Sequence, residues 1–331
     1  MRSHLKFVCL AAVMLSSAAS AEVTFEWALV EDPGNLHDTR ISWAQWGDVD
    51  HLYRIAKTEV TNAQYIEFLN KVASADPYGL YHGYMGTTSA GGISREGESG
   101  EYTYGPKFGD DAWLNRAVNY VSWWNAVRFC NWLHNGQPTG VLAGDPLLDA
   151  NLTEDGAYNV RGRATLTDDP PPRTVRQPGA RFWLPSDDEW HKAAFHQPGG
   201  GYVDYATPSG AEPTPSAPPG VGPSGNFNNV IGHPSDVGAY VDTTSPWGCY
   251  DMGGNVYEWC DSIVAVNQRS KWIFGGDYGS HVGLLAYNSS CIQHPGSGFA
   301  GYGFRVATVP EPATLALLAL GAASLRRRRR R

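Results

Sequence analysis

The sequence has no Cys-x-x-Cys pair, no Cys/His spacing of the kind that builds a zinc centre, no internal repeat and no clean linker. The missing metal spacings argue against a zinc site, and the missing repeat and linker favour one domain over two. Charge is scarce and leans acidic: 18% of residues are charged, for a net charge of −8. A nucleic-acid binder needs a basic face to neutralise phosphates, so the charge argues against that class. What is plentiful is glycine, with 38 residues, proline, with 22, and aromatic side chains, at 12%, the profile of a folded chain rich in loops.

Both ends read as address labels. Residues 1–21 carry Arg2 and Lys6, then an apolar run, then Ala19 and Ala21 in an A-x-A arrangement, which predicts a secretory leader cleaved after Ala21. The apolar run is shorter than the roughly 20 residues a membrane span needs. At the other end, Pro310, Glu311 and Pro312 precede an apolar stretch over 313–325 and six arginines over 326–331. Arginines directly behind an apolar stretch hold that end on the cytoplasmic side. This three-part arrangement resembles the PEP-CTERM sorting tail of Gram-negative bacteria. The resemblance implies an exosortase as partner, transient anchoring in the inner membrane, and release to the cell surface or extracellular matrix.

Cys9 lies in the leader, which leaves Cys130, Cys249, Cys260 and Cys291. An even count in an oxidising compartment permits one or two disulfides, with connectivity open. Three helices are signalled. In the first, Thr61 and Gln64 form a capping box, Val60 and Tyr65 a staple, and Tyr65, Phe68, Leu69 and Val72 an apolar stripe. In the second, Ser122 caps a stripe of Ala126, Phe129, Cys130 and Leu133, and Gly136 supplies the left-handed stop. On that stripe Cys130 reads as a small apolar filler. Ser186 and Glu189 cap the third, with Trp190, Ala193 and Ala194 turned inward. His191 and His196 are five apart, share no face as metal ligands, and read as solvated or locally bonded. Long stretches dense in Gly, Pro, Ser and Tyr fill the remainder, and their ordering entropy demands something to pin them.

Taken in order, "YRIAKTEVTNAQYIEFLN", "NYVSWWNAVRFCNWL", "FWLPSDDEWHKAAF", "GCYDMGGNVYEW", "IFGGDY" and "GFRVA" resemble the successive signatures of the formylglycine-generating enzyme family, also called the sulfatase-modifying factor domain. They run from Tyr53 to Ala307. The resemblance implies an α+β fold, the loop-rich variant of the C-type-lectin-like fold, as a single domain over 22–308. It also implies a structural calcium ion held by the side chains of Asp251 and Glu258 and the carbonyls of Gly254 and Val256, and a second calcium site begun by Asn226 and Phe227. Hard oxygen donors converging on a glycine-bearing turn suit calcium. On the residues alone, the 248–262 segment also reads as a tight turn before a buried strand, with Tyr257 and Trp259 as core aromatics.

Catalytic members of the family oxidise a sulfatase cysteine with molecular oxygen, holding copper(I) between two cysteines. Here the block of the first reads Ser280, and that of the second reads Leu285 to Tyr287. The family's arginine before the double glycine is Phe274, and its serine after is Asp277. Cys291 alone remains, several residues late. It either pairs with Cys260, the preferred expectation, or stays a free thiol that takes copper with His294 or His281 or serves as a nucleophile. The first expectation for function is therefore a surface-sorted domain without copper oxidase activity, binding an extracellular polysaccharide or peptide or serving structure. The alternative is a divergent oxygen-dependent sulfatase-modifying oxidase using Cys291.

Overall fold

The capping residues at Thr61, Ser122 and Ser186 start helices where their side chains meet the third backbone N–H along. The computed structural model describes residues 22–162, 174–264 and 270–310; the leader over 1–21 and the tail from Glu311 lie outside the described residues. Helix α1 spans Asn62–Val72, and its Thr61–Gln64 capping box is formed as expected. Its apolar stripe packs on the helix that carries Phe129, with the Phe68 and Phe129 rings edge to face at 5.3 Å and Phe129 edge to face with Phe304 at 5.4 Å. A single helical turn, α2, covers Tyr84–Thr87.

Helix α3 (Trp123–His134) is buried along its length from Trp123 to Leu133, not on one stripe alone. Loops wrap the face that would otherwise meet water, and its polar residues pin them. Arg128 forms a buried ion pair with Glu154, Nε to Oε1 at 2.6 Å, and Asn131 donates to the carbonyls of Thr153 and Tyr158. This supplies what the loop entropy required: backbone groups of the 153–158 loop are satisfied by helix side chains. Cys130 is fully buried as a filler, and burial pushes its thiol well above the ordinary range.

Helix α4 (Asp187–Phe195) carries its Ser186–Glu189 capping box as expected. The expectation for its histidines is corrected: His191 and His196 are buried, at 0% and 2% exposure. Residues of the 32–47 loop and Tyr202 cover them. His191 Nε2 lies 3.4 Å from Asp38 and His196 Nε2 3.5 Å from Asp32, and His196 stacks on Trp247. Burial lowers the basicity of both rings.

Beside them, burial and then the neighbouring Asp187 raise the Asp188 carboxyl to about 7, while its Oδ1 accepts the Gly47 N–H at 3.0 Å. Because the folded state holds this proton more tightly than the unfolded chain, the group costs stability as pH rises from about 4 through 7. Asp188→Asn keeps the acceptor and removes the charge. Its melting temperature relative to the parent is expected to be higher at pH 8 than at pH 5 by calorimetry, and an equal difference at both pH values contradicts the assignment.

Two four-stranded sheets complete the frame. The first runs β1 (Trp27–Val30), β2 (Tyr53–Ala56), β12 (Ala307–Thr308), β5 (Phe182–Trp183), antiparallel throughout, so the first and last strands of the domain share one sheet. Hairpin β3 (Ile93–Glu96) and β4 (Thr103–Pro106) packs on α1, and β6 (Thr214–Pro215) pairs in parallel with β7 (Ser224–Gly225). The second large sheet runs β10 (Cys291–Gln293), β9 (Lys271–Phe274), β8 (Tyr257–Ile263), β11 (Tyr302–Gly303), with β11 parallel to β8. Among the described residues no helix is long and apolar enough to cross a membrane.

Candidate functional site

Strand β8 sorts its side chains by parity, Tyr257 and Trp259 to one face and Glu258 and Cys260 to the other. The register Trp259↔Ile273↔Cys291 carries Cys291 onto the face of Tyr257. Its Sγ lies 3.7 Å from the Tyr257 hydroxyl. This corrects the disulfide expectation: Cys260 projects from the opposite face, is fully buried, and all four cysteines of the described residues are free.

On the other side of Tyr257, the Ser280 hydroxyl stands 3.4 Å from the phenol and donates to Asp277 Oδ1 at 2.7 Å. The Asp277 N–H in turn donates to Ser280 Oγ at 3.0 Å. Gly301 makes room for this turn, since a Cβ there would sit 1.9 Å from Asp277 Oδ2. Cys291, Tyr257, Ser280 and Asp277 thus form one line of contacts, half of it a thiol and a phenol and half a carboxylate-anchored hydroxyl. Burial raises the Tyr257 hydroxyl far above its ordinary value, so it stays protonated and bridges its neighbours.

Aromatic side chains rim this line. The Tyr302 ring meets Tyr257 edge to face at 6.1 Å and Phe299 at 5.3 Å, and Phe299 is 57% exposed. Tyr120 donates its N–H to the Phe299 carbonyl, stacks on His82 at 5.6 Å and bonds Thr88 through its hydroxyl. Tyr84, also exposed, stands edge-on to it at 5.8 Å. Tyr120 holds φ of +59°, a left-handed conformation that costs a bulky residue roughly 1–3 kcal/mol. The sequence flagged Cys291, Ser280 and Asp277. It missed His82, Tyr84, Tyr120 and Phe299, for which the only signal was the density of tyrosine in the loops.

Copper(I) favours soft thiolates. The donors gathered here are one thiol, one phenol, one hydroxyl and one carboxylate, which do not fit that ion. Leu285 packs on Gly253 and Gly276, and Tyr287 lies under the Arg40 guanidinium at 3.8 Å. His294 Nδ1 accepts the Gly296 N–H. Among the described residues no three His, Cys, Asp or Glu side chains gather as a metal set.

The segment implied for calcium lies against the same strand. Glu258 is fully buried and engaged from two sides: both oxygens face the Arg305 guanidinium at 2.5 Å, and the Trp190 indole donates at 2.7 Å. Arg305 also donates to the carbonyls of Ala56, Lys57 and Tyr250. Asp251, at φ +55°, accepts the Gly238 N–H, and burial raises it to about 6. Gly254 sits at φ +94°, where a Cβ would meet the Asn226 carbonyl at 2.5 Å. Val256 is fully buried, and the Phe227 carbonyl accepts the Val230 N–H. Two buried oxygens here have no partner, Asn226 Oδ1 and Glu59 Oε2. Asn255 links them: its Nδ2 donates to Glu59 Oε1, and its Oδ1 accepts from Asn226. Burial, then Asp251, pushes the Glu59 carboxyl well above the usual range. Three buried carboxylates thus share one guanidinium, beside two side-chain oxygens that lack a hydrogen-bond partner. Glu258 is committed to Arg305.

Residues 44–309 match the sulfatase-modifying factor enzyme 1-like domain. The chain belongs to that family. Its domain is an α+β, loop-rich form of the formylglycine-generating-enzyme variant of the C-type-lectin-like fold. Residues 308–331 match the PEP-CTERM protein-sorting motif, which marks this formylglycine-generating-enzyme-like protein for export and surface sorting through exosortase machinery. Among solved structures it is similar to Treponema denticola variable protein 1, at 20% identity and a TM-score of 0.50, covering 88% of this chain and 97% of that one. CarF follows at 22% identity and 0.48, covering 87% and 99%, and PvdO from Pseudomonas aeruginosa at 16% and 0.45, covering 88% and 97%. No curated protein matches the chain.

Proposed function

We propose that this exported sulfatase-modifying-factor-like domain is a binding protein of the cell surface or matrix and not a copper oxidase. The observation that supports this is the line Cys291–Tyr257–Ser280–Asp277, in which a hydroxyl and a phenol stand beside a single thiol. The rim of His82, Tyr84, Tyr120, Phe299 and Tyr302 gives flat apolar faces edged with polar groups, which suits a polysaccharide or an extended peptide. Calcium belongs to this reading as a structural ion: Asp251 and Asn226, with carbonyls of the 254–256 turn, would hold it, and its charge would offset the buried carboxylates around Glu59.

The test is mass spectrometry of a sulfatase-type cysteine peptide incubated in air with the full chain and reduced copper, with an active family member alongside. The expected result is an unchanged peptide here and an aldehyde in the control. Conversion by this chain that disappears in Cys291→Ser overturns the reading in favour of a divergent oxidase. A glycan and peptide array supplies the second arm: retention that falls when Phe299→Ala and Tyr84→Ala are introduced is expected, and an array without any retained ligand overturns the binding role.

A further inference from the structure

A second cleft, of about 720 Å³, shares no residue with the line around Cys291. Its walls include Ala112, Pro218, Pro219 and Ile231, and Arg116, His233, Ser235 and Asp236 bring the polar groups. The size is that of a pocket for a small ligand or one end of a chain.

The state of Arg116 is what gives this cleft a chemistry. Its guanidinium lies over the Trp113 ring, 4.0 Å from the centroid, and Nη1 is 3.1 Å from His233 Nδ1. Lys107 also stands over a ring of this cluster, its Nζ 5.0 Å from Trp113 and 5.1 Å from Phe108. Among the described residues no carboxylate is ion-paired with Arg116; the acids near enough to be felt are Asp236 and Asp110. Buried cations in proteins are ordinarily matched by an acid, and a half-buried guanidinium fixed on an indole presents its remaining N–H donors as a planar fork. Such a fork matches a carboxylate with two parallel hydrogen bonds. Phe108, 83% exposed and held at φ +58°, extends the apolar surface beside it.

We propose that this cleft binds a carboxylate carried on an apolar-faced ring, with Arg116 taking the carboxylate and the proline wall taking the ring face, the chemistry of a uronic acid residue in an acidic saccharide. Asp236 limits the affinity from the cleft wall. In a chain of net charge −8, a cation kept without an acid partner is placed for a ligand that brings its own negative charge.

Ligand-observed NMR titration of the full chain tests this with three probes: glucuronic acid, benzoate and glucose. Glucuronic acid is expected to bind, glucose to bind at least about tenfold more weakly, and Arg116→Gln to lose the glucuronate by about tenfold or more, the factor a charge-assisted pair supplies. Asp236→Asn, which removes a negative charge from the cleft wall, is expected to tighten glucuronate a few-fold. Equal binding of glucose and glucuronate, an unaffected Arg116→Gln variant, or an Asp236→Asn variant that weakens binding overturns the proposal. Benzoate bound without glucuronate overturns the sugar assignment and identifies an aromatic carboxylate.

Discussion

Arg305→Met is expected to lower the melting temperature by about 10 °C, since breaking a fully buried ion pair costs about 3–5 kcal/mol and each kcal/mol moves a domain of this size by a few degrees. Arg305 and Glu258 are both buried, at 0% exposure. The guanidinium ties the end of β2, the Tyr250 carbonyl and the start of β8 to one point, so methionine removes a donor from the Ala56 and Tyr250 carbonyls and leaves Glu258 as a lone buried charge. The double variant Arg305→Met with Glu258→Leu should recover part of the loss, because it removes the stranded carboxylate that the single variant leaves. A thermal melt by circular dichroism reads both, and a single variant within about 2 °C of the parent contradicts this account.

Calcium is expected to have the second-largest effect. An ion that binds only the folded state at a hundred to a thousand times its dissociation constant stabilises it by about 2.7–4.1 kcal/mol, so excess chelator should lower the melting temperature by roughly 10 °C. Asn226→Ala is destabilising in its own right, because the amide also donates to the His233 carbonyl. The informative readout is therefore the calcium-dependent increment, which should shrink in Asn226→Ala and Asp251→Ala and persist in Asp188→Asn. An unchanged melt under chelator removes calcium from the reading and leaves Glu59 holding a proton in its place.

Much of the frame was written locally. The capping pairs Thr61–Gln64 and Ser186–Glu189 act across three residues, so a few side chains specify where a helix starts whatever else the chain does. The family likeness was equally legible, because its blocks are short, ordered and rich in unusual residues. The fates of His191 and His196 were not: Trp46 of the 32–47 loop, Tyr202 and Trp247, all distant in the chain from α4, cover their rings.

The same division runs through the candidate site. The sequence by itself determined that a single cysteine remains in the block where the family carries two, and that Ser280 and Asp277 stand in that region. Tertiary structure decided that Cys291 faces Tyr257 and not Cys260. Strand parity and the pairing of β10 with β9 and β9 with β8 set which face a side chain joins, and a one-residue change of register would have reversed it. It also decided that Glu258 answers Arg305, 47 residues away in the chain, because a buried charge takes whatever opposite charge the fold brings to it, and sequence distance does not enter that energy.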